Sequence, residues 1–272
     1  FWFQNRITGG VALTERELAD EILTRYGPVT RGRGCFLYTK KGIRLTDMYQ
    51  GNGRAILGWE GGNAYTRFKN ILNRGISGFF YTEYSSQIHA SVSSLLCSDV
   101  DVFFSKDYEK AFKAVRFFEP DTKDFWRPWG QENKTDFSAL ILLPPFPWTE
   151  TIYMVCVKME ILKTSKDKIT PDSVILPSPL VAGITRSVYD LIAALQYRSE
   201  KNWFLYDLVL NKYFTRKGPY LYPKISEEKY SDFVKFCLDL GVVINPDFNN
   251  PSIVPFGADK GVFTNFNKIS FE

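Results

Sequence analysis

The stretch from Val100 to Val115 constrains this chain most. Val100, Val102, Phe103 and Phe104 are β-branched or aromatic, the types that suit a buried pleated surface. Ala111, Ala114 and Val115 then recur at helical spacing. A strand that turns directly into a helix leaves several backbone N–H groups at the helix start without intrahelical partners. With the helix dipole behind them, such groups make a ready anion site. The residues at the turn work against that use. Ser105 or Asp107 suits the N-cap, and an Asp107 carboxylate would fill the space an anion needs. Tyr108 puts a large side chain where a phosphate requires close backbone approach, a place usually left to Gly.

At 272 residues the chain is long enough for one large domain or two modest ones. An apolar fraction of 44% and an aromatic fraction of 16% exclude disorder. The net charge is +4, with 34 basic residues scattered among 30 acids. That is mild basicity rather than a nucleic-acid footprint, so no nucleic-acid partner is expected. No apolar run reaches membrane-spanning length, and no membrane association is expected. The apolar start, Phe1 to Arg6, reads as too short for a signal peptide. Cys35, Cys97, Cys156 and Cys237 lie far apart in apolar settings and read as reduced, buried thiols of a cytoplasmic protein. One histidine and no paired cysteines leave no basis for a zinc site.

Along the chain, residues 13–26 form an amphipathic helix with Thr14 at its N-cap, ended by Gly27-Pro28. Residues 34–39 and 43–48 pair as a hairpin around Lys40-Lys41-Gly42. The Arg31-Gly32-Arg33-Gly34 piece suggests RNA contact only weakly; it is short, and a strand follows it. A helix over 63–74 carries Tyr65, Phe68, Ile71 and Leu72 on one face. Another over 84–97 buries Ile88, Val92, Leu95 and Leu96. It also carries His89, which has no visible partner motif and reads as structural. Residues 119–136 read as a loop whose Trp126 and Trp129 either line a pocket or pack beneath it. Residues 138–143, 152–157 and 172–177 read as buried strands. A long helix opens at Pro179, and the apolar run 202–214 is either helix or a partner-facing surface. A helix from Ser226 to Gly241 leads into a short strand at 242–246.

Three stretches resemble the class-III aminotransferases, pyridoxal-phosphate enzymes of fold type I that include the glutamate-1-semialdehyde aminomutases. Their phosphate-binding turn reads roughly F-F-x-N-S-G-x-E-A-x-x-A-A. Phe103, Phe104, Ala111, Ala114 and Val115 keep that frame, whereas Lys106, Asp107, Tyr108 and Lys110 replace the Asn, Ser, Gly and Glu. Over residues 28–75, Pro28, Gly32, Gly34, Gly42, Asp47, Gly53, Leu57, Gly58 and Gly75 fit a second family pattern. In the family that hairpin leads towards the active-site entrance. Residues 224–263 resemble the family's C-terminal small domain.

The resemblance implies an α/β, fold-type-I pyridoxal-phosphate-transferase-like fold. It implies a reduced large domain with a mostly parallel sheet over 61–217, and a small α+β domain from residues 1–60 and 218–272. It further implies a homodimer. In the family, an Asp pairs with the cofactor's pyridinium nitrogen and a Lys forms the Schiff base. Residues 119–180 hold no apolar run ending in an acidic pair. Lys166, within Thr164-Ser165-Lys166, is the nearest imitation of the lysine motif, and Lys158 is no stronger. Ser105, Lys106, Asp107 and Tyr108 stand where the family binds phosphate. The expectation is therefore a degenerate aminotransferase-like protein, without cofactor, that acts by binding or assembly. The alternative is a working pyridoxal-phosphate aminotransferase or aminomutase with a rebuilt site. A nucleic-acid binder using Arg31, Arg33 and the charges of 163–168 ranks last.

Overall fold

Residues 13–78, 80–130, 136–164 and 171–271 are described by the computed structural model. The apolar start at Phe1 and the candidate Lys166 lie outside them. Helix α1 (Glu15–Tyr26) leads into strands β1 (Val29–Arg33), β2 (Phe36–Thr39) and β3 (Arg44–Asp47). Helices α2 (Gly62–Leu72) and α3 (Glu83–Leu96) precede β4 (Val100–Ser105), α4 (Tyr108–Phe118), β5 (Ala139–Leu142), β6 (Tyr153–Lys158) and α5 (Met159–Thr164). The long α6 (Ser178–Tyr197) is followed by the short α7 (Glu200–Trp203) and α8 (Asp207–Leu210). Strands β7 (Phe214–Lys217) and β8 (Tyr220–Pro223), helix α9 (Glu227–Asp239), strands β9 (Val242–Val243) and β10 (Ser252–Ile253), and helix α10 (Thr264–Lys268) complete the order. Two compact units result, one over Gly53–Arg198 and one from the residues up to Asn52 together with those from Ser199 onward.

The Gly53–Arg198 unit is built on a three-stranded sheet of order β4-β6-β5. Alternation along central β6 sends Met154 and Cys156 to one face and Val155 and Val157 to the other, and all four are buried. The first face packs against α2, α3 and α6 through Phe68, Ile88, Val92, Ile184 and Val188. The second packs against α4 through Ala111, Phe112 and Val115. On α2, Ala64 rather than Leu72 completes the buried stripe, and Leu72 is exposed.

The sheet departs from the mostly parallel arrangement expected of it, because both pairs are antiparallel. Only ten residues separate Leu142 from Tyr153, too few for the crossover that parallel neighbours require. The segment 172–177 is not a strand either. It runs beside the outer edge of β4, where Val174 N–H donates to Phe104 O at 2.9 Å and Phe104 N–H donates to Ser173 Oγ at 3.0 Å. Pro171 and Pro177 bracket it and cannot donate to a ladder. Further along the same edge, His89 Nδ1 lies 2.6 Å from Asp101 Oδ1, and Val102 N–H donates to that carboxylate at 3.0 Å. Side chains thus satisfy an edge that would otherwise invite another strand.

In the other unit, Thr14 caps α1 as its position predicts, with Glu17 completing the reciprocal capping pair. Strands β1, β2 and β3 form an antiparallel meander, and β9 adds to β3 in parallel. A second sheet has the order β10-β8-β7. Tyr213, Phe214, Tyr230, Phe233, Phe236, Phe266 and Phe271 pack ring to ring around α9, with Phe233 fully buried. The apolar run 202–214 divides by side. Trp203, Tyr206 and Leu210 are buried, whereas Phe204 and Leu208 face solvent. Arg216 on β7 joins the strand to the short helices. It donates to Asp207 through Nε and Nη2 at 2.6 and 2.7 Å, to Gly218 O at 2.9 Å, and to Glu200. Of the four free cysteines Cys35, Cys156 and Cys237 are buried, but Cys97 is exposed at the end of α3, contrary to expectation. Burial pushes the Cys156 and Cys237 thiols up, which keeps them inert.

Arg216→Ala is expected to lower the unfolding free energy by about 2 kcal/mol, less than for a fully buried pair because Glu200 sits mostly in solvent. Adding Asp207→Ala should restore part of that loss, and urea unfolding measures both. At β4, the hydrogen bond from His89 holds the Asp101 carboxyl below its ordinary range, outweighing its partial burial. A folded value below the unfolded one adds stability that is complete above about pH 4 and disappears as pH falls through the folded value. His89→Ala should therefore be less stable than the parent protein at pH 7. The gap should close in urea melts taken below pH 4.

Candidate functional site

Strand β4 ends at Ser105, and α4 begins three residues later. Asp107 is extended, with φ −124° and ψ 123°, and its Oδ1 accepts the Lys110 N–H at 2.9 Å. Ser105 Oγ accepts the Asp107 N–H at 3.1 Å and donates to Asp107 O at 2.9 Å. Glu109 adds a second carboxylate to the first turn. One helix-start donor, the Lys110 N–H, and the positive end of the helix dipole are thus met by side chains of the turn itself. Lys106 is exposed.

Tyr108, the first residue of α4, is partly exposed and belongs to an aromatic group. Its ring centroid lies 4.6 Å from Phe112, 5.9 Å from Phe125 and 6.0 Å from Tyr153. Phe125 and Tyr153 are stacked with centroids 6.1 Å apart. Arg54, buried in the same unit, lies 5.5 Å from the Tyr153 ring. Its Nε donates to Thr149 O at 2.7 Å and its Nη2 to Ile152 O at 3.3 Å, which fixes the proline-rich connection before β6. Partial burial raises the Tyr108 hydroxyl above its usual range, and Glu109 and Asp124 add to the effect.

Among the described residues, Lys158 and Asp101 do not converge on the turn. Lys166 lies outside the described residues, beyond the end of α5 at Thr164. Lys158 is opposite Val100 in the β4–β6 register, whereas Ser105 is opposite Tyr153. Five residue steps along a strand separate them by about 17 Å, farther than a pyridoxal phosphate held at the turn would span. Lys158 is also engaged locally, 3.9 Å from Glu160 and 5.1 Å from the Phe137 ring. Asp101, the carboxylate on the same face of β4 as Ser105, is four steps away, or about 14 Å. Trp126 and Trp129 pack against the core of this unit, and Trp126 N–H donates to Ile141 O at 2.8 Å beside β5.

Sequence reasoning missed two features here. The alternation along β4 was the available signal that Asp101 shares a face with Phe103 and Ser105. The burial of Arg54 had none, because a lone arginine in a glycine-rich stretch looks like a surface residue.

No family model matches the chain. It is 24% identical to an uncharacterized protein of Treponema pallidum, over 86% of this chain and 91% of that protein. It is 25% identical to an uncharacterized protein of Borreliella burgdorferi, over 89% and 90% respectively. Among solved structures it is similar to the ornithine aminotransferase of Plasmodium yoelii, with a TM-score of 0.63 and 12% identity over 94% of this chain and 97% of that one. The acetylornithine aminotransferase of Elizabethkingia anophelis gives a TM-score of 0.60 at 12% identity, over 92% and 96%. An omega-transaminase of Sphaerobacter thermophilus gives 0.62 at 11% identity, over 95% and 96%. The identities are low and the coverage is nearly complete, so what the chain shares with these proteins is the mixed α/β fold of the pyridoxal-phosphate-dependent aminotransferases.

Proposed function

We propose that this protein keeps the aminotransferase fold without transaminating, and acts by binding or assembly. The observation that carries the reading is the self-capped turn. Asp107 occupies a helix-start donor, Glu109 adds a second carboxylate to the first turn, and Tyr108 sets a large side chain, packed on Phe112, at the first helical position. A phosphate placed there would meet two carboxylates and displace an N-cap contributing about 1 kcal/mol. These residues do not fit a pyridoxal-phosphate anchor. Among the described residues, Lys106 at the turn is exposed and Lys158 is at the far end of the sheet.

The corresponding domain reading is a small domain from residues 1–60 and 218–272 around a reduced large domain over 61–217, in a cytoplasmic homodimer. No helix among the described residues is long and apolar enough to cross a membrane. The shared fold favours one alternative, a working pyridoxal-phosphate aminotransferase or aminomutase in which Lys166 is the covalent residue.

Titration of the purified protein with pyridoxal phosphate separates the two. The expected outcome is no imine absorbance band, no borohydride-fixed lysine on peptide mapping, and no thermal stabilisation at excess cofactor. An imine band with one labelled lysine would overturn the proposal and locate the site. The cap supplies a second check. Asp107→Ala should cost about 1 kcal/mol in urea unfolding, whereas Asp107→Asn, an equally good cap, should be nearly neutral.

A further inference from the structure

We propose that the outer face of the β1–β2–β3 meander is a binding platform for single-stranded nucleic acid. Residues 28–46 contain five basic side chains and no acidic one, against a net charge of +4 for the whole chain. The register decides where those charges go. Arg31 is opposite Tyr38, Tyr38 is opposite Arg44, and Arg33 is opposite Phe36. Directly opposed residues share a face of the sheet. Arg31, Arg33 and Arg44 therefore stand on one surface with Phe36 and Tyr38 between them. The three arginines are exposed and the two rings partly so. Leu37 and buried Leu45, also paired, mark the opposite face.

Arg31 and Arg44 lie over rings rather than beside acids. The Arg44 guanidinium is 4.5 Å from the Phe36 ring centroid and that of Arg31 is 5.8 Å from Tyr38. Among the described residues, no carboxylate forms an ion pair with Arg31, Arg33 or Arg44. A guanidinium lying on a ring still offers its N–H edge, and that edge suits phosphate oxygens. Aromatic rings and guanidinium planes on a sheet also stack unpaired bases, which a duplex keeps hidden. Exposed Lys40, in the β2–β3 turn, extends the cationic edge. The complementary partner is a polyanion with flat apolar faces along its length, which is the chemistry of a single strand. This revises the expectation that the basic charge is merely dispersed. The surface shares no residue with the β4–α4 turn, so it stands or falls independently of cofactor binding.

Fluorescence anisotropy of the full chain with a labelled single strand of about twelve nucleotides, over a salt series, tests the proposal. Binding should weaken as salt rises, and Arg33→Ala with Arg44→Ala should reduce the log–log slope by about 1.4, roughly 0.7 per lost phosphate contact. Tyr38→Ala should weaken binding about tenfold with little change in slope. Lys229→Ala, an exposed charge on α9, should leave both unchanged. Urea midpoints confirm that the variants fold. Absence of binding at low salt overturns the proposal. So does binding that ignores the arginine pair. Equal affinity for polyphosphate, unaffected by Tyr38→Ala, overturns it in favour of a general anion surface. Loss of a dimer in the arginine variant, with no oligonucleotide bound by the parent protein, assigns the face to self-association instead.

Discussion

Two-sided burial of β6 organises the Gly53–Arg198 unit. Met154 and Cys156 on one face and Val155 and Val157 on the other are each almost wholly removed from water. Burying a side chain of this size contributes about 1.5–3 kcal/mol, so slipping the strand by one residue would exchange two full sets of contacts. The register with β4 and β5 is therefore fixed from both sides. That register sets Ser105 opposite Tyr153 and so brings the Tyr153 ring within 6.0 Å of Tyr108 at the start of α4. It also sends Lys158 to the other end of the sheet. The same packing that stabilises the fold decides which candidate groups can meet.

The turn shows how a strand-to-helix junction can be closed by the chain's own side chains. A strand feeding a helix presents free N–H groups whatever the sequence, and some acceptor has to meet them. A bound anion is one solution, and a carboxylate carried by the chain is another. Asp107 supplies the second, with Ser105 holding the Asp107 backbone from both sides. The helix is then stable without a ligand. Aromatic contacts from Tyr108 to Phe112, Phe125 and Tyr153 strengthen that independence.

Much of this was readable from local rules. The Thr14 cap, the β2–β3 hairpin, the Asp107 cap and the stripe on α3 each depend on residues within one or two turns of chain. The failures involve residues distant in sequence. The His89–Asp101 contact joins a helix to the strand after it, and nothing in either segment alone marks it. Segment 172–177 has strand composition, but the prolines around it limit it to an edge strap. The sheet was expected to be mostly parallel by analogy with a family. The short, proline-rich connection before β6 was the physical sign that its strands run antiparallel. Leu72 and Ala64 exchanged roles on α2 because the helix axis was set by α6 and Phe146, not by the most hydrophobic residues available.

Charge is the quantity that one-dimensional reading handles least well. Net charge is a sum, and it is small here because acids and bases nearly cancel over the whole chain. A partner meets a surface rather than a sum, and the field it meets decays within about 10 Å at ordinary salt. Only the arrangement of nearby side chains then matters. An antiparallel meander is efficient at producing such an arrangement. It folds a short basic segment back on itself twice, and pairing brings Arg31, Arg33 and Arg44 to one face although thirteen positions separate the first from the last. The period of two along each strand keeps Phe36 and Tyr38 on that face as well. Had the β1–β2 register slipped by one residue, the arginines of β1 would oppose Leu37 and the apolar side instead. Leu37 against buried Leu45 fixes the β2–β3 register. The inward apolar pair thereby determines the face on which Arg44, Phe36 and Tyr38 lie.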